Sequence, residues 1–175
     1  MLNQFLENYC WQPEALDFIS GHVDTGEPIP KSLLDRLLTA KNFQSAMMSV
    51  RQLEFSLFDF ELHCQATEQT INETRDILDS IRQRVTVVPL IAENRFENVF
   101  SHIFGGGYAA GYYSYKWAEV LSADAFAAFE EAGDPFDPQT AARLEKYILS
   151  AGGSEEAEVL YTRFRGKMPG VEPLL

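Results

Sequence analysis

Three consecutive glycines and four tyrosines stand close together in the segment HIFGGGYAAGYYSYKW, from His102 to Trp117. A run of glycines can adopt positive φ angles and offer bare N–H groups, so it can close over a ligand. The chemically relevant members are His102, Gly105, Gly106, Gly107, Tyr108, Tyr112 and Tyr115, whereas Tyr113 would point elsewhere, toward Trp117. If a helix starts here, Tyr108, Tyr112 and Tyr115 share one face through their i, i+4, i+7 spacing. Their hydroxyls can then bind peptide carbonyls or a developing oxyanion.

A less specific interpretation is a Gly-rich turn followed by an aromatic core helix, and the residues alone leave both interpretations open. Phosphate binding is less favoured, because the net charge is −12 and only Lys116 lies nearby. Neither His22, His63 nor His102 belongs to an HExxH motif, whose i, i+4 spacing lets two imidazoles share a zinc ion. We expect His63 to be structural, His22 to lie in a surface turn, and no self-contained metal site to form.

Composition and charge narrow the class of protein. With 175 residues, 46% hydrophobic and 13% aromatic, the chain can bury a core, which excludes a disordered tail. Its acidity argues against nucleic acid and anionic membranes as partners. Two cysteines, Cys10 and Cys64, are too few for a disulfide scaffold. No apolar run approaches the ~18 residues of a membrane span. The first residues lack the pattern of a signal peptide, so we expect a cytoplasmic protein.

The hydrophobic periodicity predicts an all-α chain that forms a single helical region over residues 1–175, without an internal domain boundary. The predicted helices cover 3–20 with a break near Pro13, a segment starting at Pro30, 42–66, 70–86, 109–131, Asp137 to Ser150, and a last helix capped by Ser154. Residues 85–93 have β-branched character, but Pro89 makes an extended linker the better interpretation.

The helix predicted over 42–66 carries two apolar stripes. They are Phe43, Met47, Val50, Leu53, Leu57, Phe60 and Cys64 on one side, and Met48, Phe55, Phe58 and Leu62 on the other. This pattern predicts packing on both sides and hints at contact with something outside the chain. The 70–86 helix is amphipathic, with Ile71, Ile77, Leu78, Ile81 and Val85 expected inside and Arg82 outside. In the 109–131 helix, Tyr113 and Trp117 are candidates for burial.

The segment from His102 to Phe126 closely resembles a segment of the thimet oligopeptidase / oligopeptidase A family of zinc metallopeptidases. Three further segments show the same resemblance in the same order: Gln4–Leu16, Met47–His63 and Ile148–Pro169. The resemblance implies an almost all-helical fold in which two lobes wall a substrate channel. It also implies that this chain is the C-terminal helical portion of a zincin-type oligopeptidase catalytic domain.

The same resemblance implies roles for individual residues. Tyr115 would donate its phenol to the oxyanion, and Tyr108 would hold the peptide backbone with Tyr112 near the same wall. His102 would contact substrate at the base of a loop, and the glycines of that loop, Gly105, Gly106 and Gly107, would let it fold over short peptides. In the family, zinc is held by HExxH histidines and a later glutamate, and all of these are absent here; Glu7 is not that glutamate.

We therefore expect a C-terminal part of an oligopeptidase A-like zinc metalloendopeptidase that hydrolyses short peptides in the cytoplasm. Zinc would belong to the intact parent enzyme and not to this chain, which alone should be inactive. Its partners would be short peptides and the missing N-terminal part of the enzyme, with self-association through exposed apolar faces of the 3–20 and 42–66 helices. The alternative is a natural, stand-alone, non-catalytic helical interaction module or a split-enzyme subunit.

Overall fold

The computed structural model describes residues 2–64 and 71–175, and within these ranges the chain is helical without strands. The predicted all-α fold is therefore confirmed. The α-helices are α1 (Leu2–Glu7), α2 (Pro13–Ile19), α3 (Lys31–Lys41), α4 (Ser45–Cys64), α5 (Ile71–Val85), α6 (Ser101–Phe104), α7 (Ser114–Ala132), α8 (Pro138–Leu144) and α9 (Ala157–Arg165). Two compact units are present: one holds the described residues up to Ala40 and from Trp117 onward, and the other holds those between Lys41 and Lys116.

The first unit has an aromatic core centred on α7. Phe126 and Phe129 stack with their ring centroids 6.1 Å apart, and Phe5 of α1 packs edge-on against Phe126 at 6.0 Å. Tyr9 joins this group, and its hydroxyl donates a 2.9 Å hydrogen bond to the Pro135 carbonyl. The half-buried phenol thus keeps a hydrogen-bond partner. The other buried members are Ala125, Ala128, Leu144, Tyr161 and Phe164.

A buried acid, Asp124, ties α9 to α7 in the same unit. Its Oδ2 atom accepts a 2.8 Å hydrogen bond from the Tyr161 hydroxyl and lies 3.2 Å from Nε of Arg165. Arg165 also makes two 2.6 Å hydrogen bonds to the carboxylate of Glu131. These bonds lower the pKa of Glu131 below its ordinary value. Burial, together with the hydrogen bond to Asp124, raises the pKa of Tyr161.

The second unit is formed by α4 packed against α5. Its buried residues are Phe55, Phe58, Leu62, Leu78, Ile81, Phe100, Ile103 and Tyr112. Arg82, which we expected on the outside of α5, is buried because its Nε donates a 2.8 Å hydrogen bond to Glu54 on α4. The expected solvent exposure of Arg82 is therefore wrong: a buried acid on the neighbouring helix allows the charge to be buried. Residues 65–70, which include the predicted helix positions 65, 66 and 70, lie outside the described residues, as does the side chain of Ile71.

Only one of the two apolar stripes of α4 is buried by the described residues. The stripe with Phe55, Phe58 and Leu62 faces the core, whereas Phe43 is 75% exposed and Leu53 51% exposed. The described residues therefore cover one side of α4, and contact of the other side with something outside the chain stays a prediction. The expected exposed apolar surface is confirmed, and it includes Met47, Met48 and Phe60 near α4 and Leu6, Phe18 and Ile19 on α1 and α2.

The helix ends follow local chemistry, with two corrections. As predicted, Asp137 caps α8, where its Oδ2 accepts a 2.6 Å hydrogen bond from the N–H of Thr140. Pro30 lies just before α3 and not inside it, and its carbonyl accepts from the first turn of that helix. Ser154 does not cap the last helix, because α9 begins at Ala157, directly after Glu156.

Candidate functional site

The tyrosine-rich segment lies in the second unit, and most of it is a turn. Helix α6 ends at Phe104 and α7 begins at Ser114, so Tyr108 and Tyr112 precede the helix. The prediction of a helix starting at about residue 109 is wrong in this part. Gly107 has φ +81° and Ala110 has φ +52°, and both angles interrupt a right-handed helical repeat.

The glycine run closes the end of α6. The N–H groups of Gly105 and Gly106 both donate to the carbonyl of Ser101 at 2.9 Å, and the Tyr108 N–H donates to the carbonyl of His102 at 3.1 Å. Two of the three glycine N–H groups are thus engaged within the loop, contrary to the expectation that they are bare. Gly106 lies so close to His102 that a Cβ atom there would stand 2.8 Å from the His102 Cα and carbonyl oxygen.

Four rings converge beside this loop, and we call His102, Tyr108, Tyr112 and Tyr115 the aromatic cluster. Ring centroids of Tyr108 and Tyr115 are 5.0 Å apart, and those of Tyr112 and Tyr115 are 5.1 Å apart. His102 lies 5.8 Å from Tyr112 and 6.2 Å from each of the other two rings. Tyr112 is buried, His102 is exposed, and the remaining two are half-buried, so the cluster forms a phenol-lined surface that solvent can reach. The sequence spacing thus correctly grouped the three tyrosines, although not through a shared helix.

Two phenols of the cluster, those of Tyr112 and Tyr115, have pKa values above the ordinary value of tyrosine. A hydrogen bond with the Tyr108 phenol raises the pKa of Tyr115 to about 12, and burial adds to the effect. Burial also raises the pKa of Tyr112, whose hydroxyl donates a 3.1 Å hydrogen bond to Oε1 of Gln52. Because their pKa values are raised, Tyr112 and Tyr115 keep their protons. The proton of Tyr112 is donated to Gln52, and that of Tyr115 can be donated to a carbonyl oxygen or an oxyanion.

Two aromatic residues next to the cluster point elsewhere. Tyr113 is 48% exposed and stacks on Phe60 of α4 at 5.2 Å, and Trp117 is 58% exposed. Both were candidates for burial, and that expectation is wrong. Since Tyr113 keeps its ring contact outside the cluster, it offers a matched control for substitutions of the cluster tyrosines.

Sequence reasoning missed Asp59, the acid on α4 that contacts the tyrosine turn. Its side chain is fully buried, Oδ1 accepts a 2.8 Å hydrogen bond from the N–H of Ala110, and Oδ2 accepts one of 2.8 Å from the N–H of Tyr112. His63, one helical turn later, is expected to be structural and does contact Asp59 through Nδ1. The Asp–x–x–x–His spacing on an apolar helix was the available signal, because a buried acid needs donors.

The donor set of the described residues does not fit a zinc site. No group of three or more His, Cys, Asp or Glu side chains in residues 2–64 and 71–175 is arranged to hold a metal ion. Asp59 and His63 form only a pair, and both are engaged with each other and with backbone. Within the same ranges, no helix is long and apolar enough to cross a bilayer.

The all-α fold is the one implied by the peptidase resemblance, and comparison with known proteins settles the family. Residues 2–175 match the model of Peptidase family M3, so the chain belongs to this family. Peptidase family M3 is in general zinc-dependent. The resemblance inferred from the sequence is thereby confirmed.

Within the aligned length, about half of the positions are identical between the chain and individual relatives. It is 54% identical to oligopeptidase A of Escherichia coli and 53% identical to oligopeptidase A of Salmonella typhimurium, each over 173 residues. Oligopeptidase A of Haemophilus influenzae is 54% identical over the same length. Each alignment covers 99% of this chain and 25% of the relative, so the chain spans about a quarter of the length of the curated relatives it matches.

Proposed function

We propose that this chain forms the substrate-binding tyrosine wall of an oligopeptidase A-like zinc metalloendopeptidase that hydrolyses short peptides in the cytoplasm. The observation that carries the proposal is the convergence of His102, Tyr108, Tyr112 and Tyr115 on one accessible surface. The family and the oligopeptidase names of its relatives support the substrate class. We assign the chain to the C-terminal part of the catalytic domain, as one helical region of it.

In this proposal, Tyr115 stabilises the oxyanion that develops when the peptide carbonyl is attacked. Its raised pKa supports this role, because the phenol must be protonated when the negative charge forms. The Tyr108 phenol, which is hydrogen-bonded to Tyr115, would hold the peptide backbone next to the reacting carbonyl. Tyr112 is buried and packs against the Tyr115 ring, and the exposed His102 would contact the peptide at the base of the glycine loop.

The glycine run would cover the bound peptide. Gly107 stands at φ +81° and Gly105 has open space where a Cβ would be, so both positions can change conformation without a steric barrier. Because the described residues do not provide a zinc site, we assign the metal and the general base to the remainder of the parent enzyme. The chain alone is then expected to bind peptides weakly and not to hydrolyse them.

A chimera tests this function. The chain replaces the matching quarter of Escherichia coli oligopeptidase A, and hydrolysis of a quenched fluorescent peptide is measured for the chimera and for the 175-residue chain. We expect turnover from the chimera only. Tyr115→Phe should lower kcat about 10²–10³-fold with a small change in KM, as for removal of one oxyanion donor. Tyr113→Phe, which keeps its ring on Phe60, should leave both constants unchanged.

Two results would contradict the proposal. If the chimera and its Tyr115→Phe variant have equal kcat values, Tyr115 does not stabilise the oxyanion. Stoichiometric tight zinc with turnover by the 175-residue chain would overturn the assignment of the metal to the remainder of the enzyme.

The second candidate function is a non-catalytic helical interaction module or a subunit of a split enzyme. The exposed apolar stripe of α4, with Phe43, Met47 and Leu53, favours it, because such stripes are usually covered by protein. For either function, we propose that the chain uses this stripe to contact the rest of the enzyme or a second copy of itself. Sedimentation at rising concentration tests self-association, and a strict monomer at high concentration would argue against it.

A further inference from the structure

The tyrosine turn is held by a side chain that lies more than fifty residues earlier in the chain. Both carboxylate oxygens of Asp59 accept hydrogen bonds from the same backbone turn. Oδ1 accepts from the N–H of Ala110 and Oδ2 from the N–H of Tyr112, each at 2.8 Å. The side chain is completely buried. Two short hydrogen bonds to an ionised acid are among the stronger non-covalent contacts in proteins, so they fix the turn firmly.

The backbone of the turn adopts a conformation that matches these two bonds. The two donors are separated by Gly111 alone, and Ala110 has φ +52°, an angle that L-residues rarely adopt. Such a conformation persists only when the surroundings enforce it. The paired bonds to Asp59 supply that enforcement, since both N–H groups must point at one carboxylate.

His63 completes the environment of the acid. Its Nδ1 lies 2.9 Å from Oδ1 of Asp59 and 2.8 Å from the Asp59 carbonyl oxygen. Both partners are acceptors, so Nδ1 carries the proton and donates. The carboxylate therefore receives three N–H donors, which stabilise it in its buried position.

Tyr112 is fastened to α4 at both ends. Its N–H is bound by Asp59, and its hydroxyl donates to Gln52, which stands seven residues earlier on the same helix. The ring between these two points lies edge-on to His102 and 5.1 Å from Tyr115. Any shift of the Tyr112 backbone thus displaces the ring against which His102 and Tyr115 pack.

We propose that Asp59 is a positioning residue, whose buried carboxylate holds the 110–112 turn so that the phenols of Tyr108, Tyr112 and Tyr115 converge. Asp59 touches none of the reacting atoms and acts through the turn. The proposal rests on the proposed function for its biological meaning, since the cluster is the surface assigned to the substrate.

The test measures the phenols themselves in the 175-residue chain. Tyrosines are labelled with ¹³C at Cζ, and NMR follows their ionisation with pH in the unmodified chain, in Asp59→Asn and in Glu54→Gln. Glu54 is a matched control, because it is also a buried acid on α4 but pairs with Arg82 and not with the turn. In Asp59→Asn we expect the pKa of Tyr115 to fall from about 12 toward its ordinary value of about 10. In Glu54→Gln it should stay unchanged.

A second measurement decides the matter if Asp59→Asn does not fold. Amide hydrogen exchange in the unmodified chain should show the N–H groups of Ala110 and Tyr112 exchanging about tenfold or more slowly than in an unstructured peptide, as charge-assisted hydrogen bonds require. Unprotected exchange at both amides would overturn the proposal. The proposal would also be overturned if Asp59→Asn folds and its Tyr115 has the same pKa as Tyr115 in Glu54→Gln.

The outcomes separate the two proposals. If Tyr115→Phe leaves the kcat of the chimera unchanged, the proposed function is refuted, and the NMR result on Asp59 still stands. A Tyr115 pKa that does not respond to Asp59→Asn would refute the positioning role while peptide hydrolysis remains dependent on Tyr115.

Discussion

The glycine run offers a graded test, because its three members meet different surroundings. A Cβ at Gly106 would lie 2.8 Å from both Cα and the carbonyl oxygen of His102, where ordinary contact begins at 3.4 Å. Both atoms are backbone, so they cannot turn aside as a flexible side chain would. Gly107 has open space for a Cβ, but its φ is +81°. Gly105 has neither a close neighbour nor a positive φ.

These differences give an order of cost for substitution by alanine. Gly106→Ala forces the end of α6 to move, an overpacking effect of about 1–3 kcal/mol in the free energy of unfolding. Gly107→Ala places an L-residue in the left-handed region, at a cost of about 1–2 kcal/mol. Gly105→Ala should change the free energy of unfolding by less than about 0.5 kcal/mol. Because the clash at Gly106 falls on His102, that substitution alone should also perturb the aromatic cluster.

Urea titration with near-UV circular dichroism of the tyrosines measures these free energies, with Gly105→Ala as the control. The slope of the free energy against urea must remain equal among the variants for the comparison to hold. If Gly106→Ala proves as stable as Gly105→Ala, with its tyrosine signal intact, the close approach between Gly106 and His102 does not exist. The contact with α6 would then not determine the shape of the glycine run.

Three further predictions concern titratable and buried groups. Tyr161→Phe leaves Oδ2 of the buried Asp124 without its hydroxyl donor, and should lower the free energy of unfolding by about 1–3 kcal/mol in urea titration; an unchanged value would contradict the bond. The pKa of Tyr115 is raised from 10.0 to about 12 in the folded chain. The folding stability that its protonated phenol contributes is therefore complete below pH 10 and is lost as the pH rises toward 12. Tyr115→Phe should therefore flatten the alkaline decline in stability, and an equally steep decline would refute this. Arg165 lowers the pKa of Glu131 below its ordinary value of 4.5, so the stability that the ionised Glu131 contributes is lost as the pH falls below 4.5. Thermal melts of Glu131→Gln should therefore be less sensitive to acid than those of the unmodified chain.

Local sequence signals predicted most of the helices, because periodicity and capping act over a few residues. The cap from Asp137 to Thr140 and the buried stripe of Phe58 on α4 are examples. The same signals failed between Tyr108 and Ser114. Alanine has a high helix propensity, so Ala110 indicates helix, yet its φ of +52° is dictated by an acid on another helix. Tertiary contacts of this kind leave no local pattern.

The grouping of the tyrosines was predicted and its cause was not. Three phenols at i, i+4 and i+7 would meet on a helix, and in the turn they meet as well, because Tyr112 is held by Asp59 and Gln52. The spacing gave the right neighbours for the wrong geometrical reason. The roles of Tyr115 and His102 in binding remain predictions, since they depend on a substrate that meets the cluster.

The geometry of the cluster is therefore divided between two parts of the chain. The glycine run fixes His102 and Tyr108 through bonds within the loop, whereas α4 fixes Tyr112 through Asp59 and Gln52. Tyr115 rests on both, because its phenol bonds to Tyr108 and its ring packs on Tyr112. Neither the loop nor α4 alone can define where the Tyr115 hydroxyl lies, so movement of either one displaces the donor. A phenol that must meet a developing charge within hydrogen-bond distance tolerates little displacement, so a buried acid that fixes the turn does what an apolar residue at the same position could not.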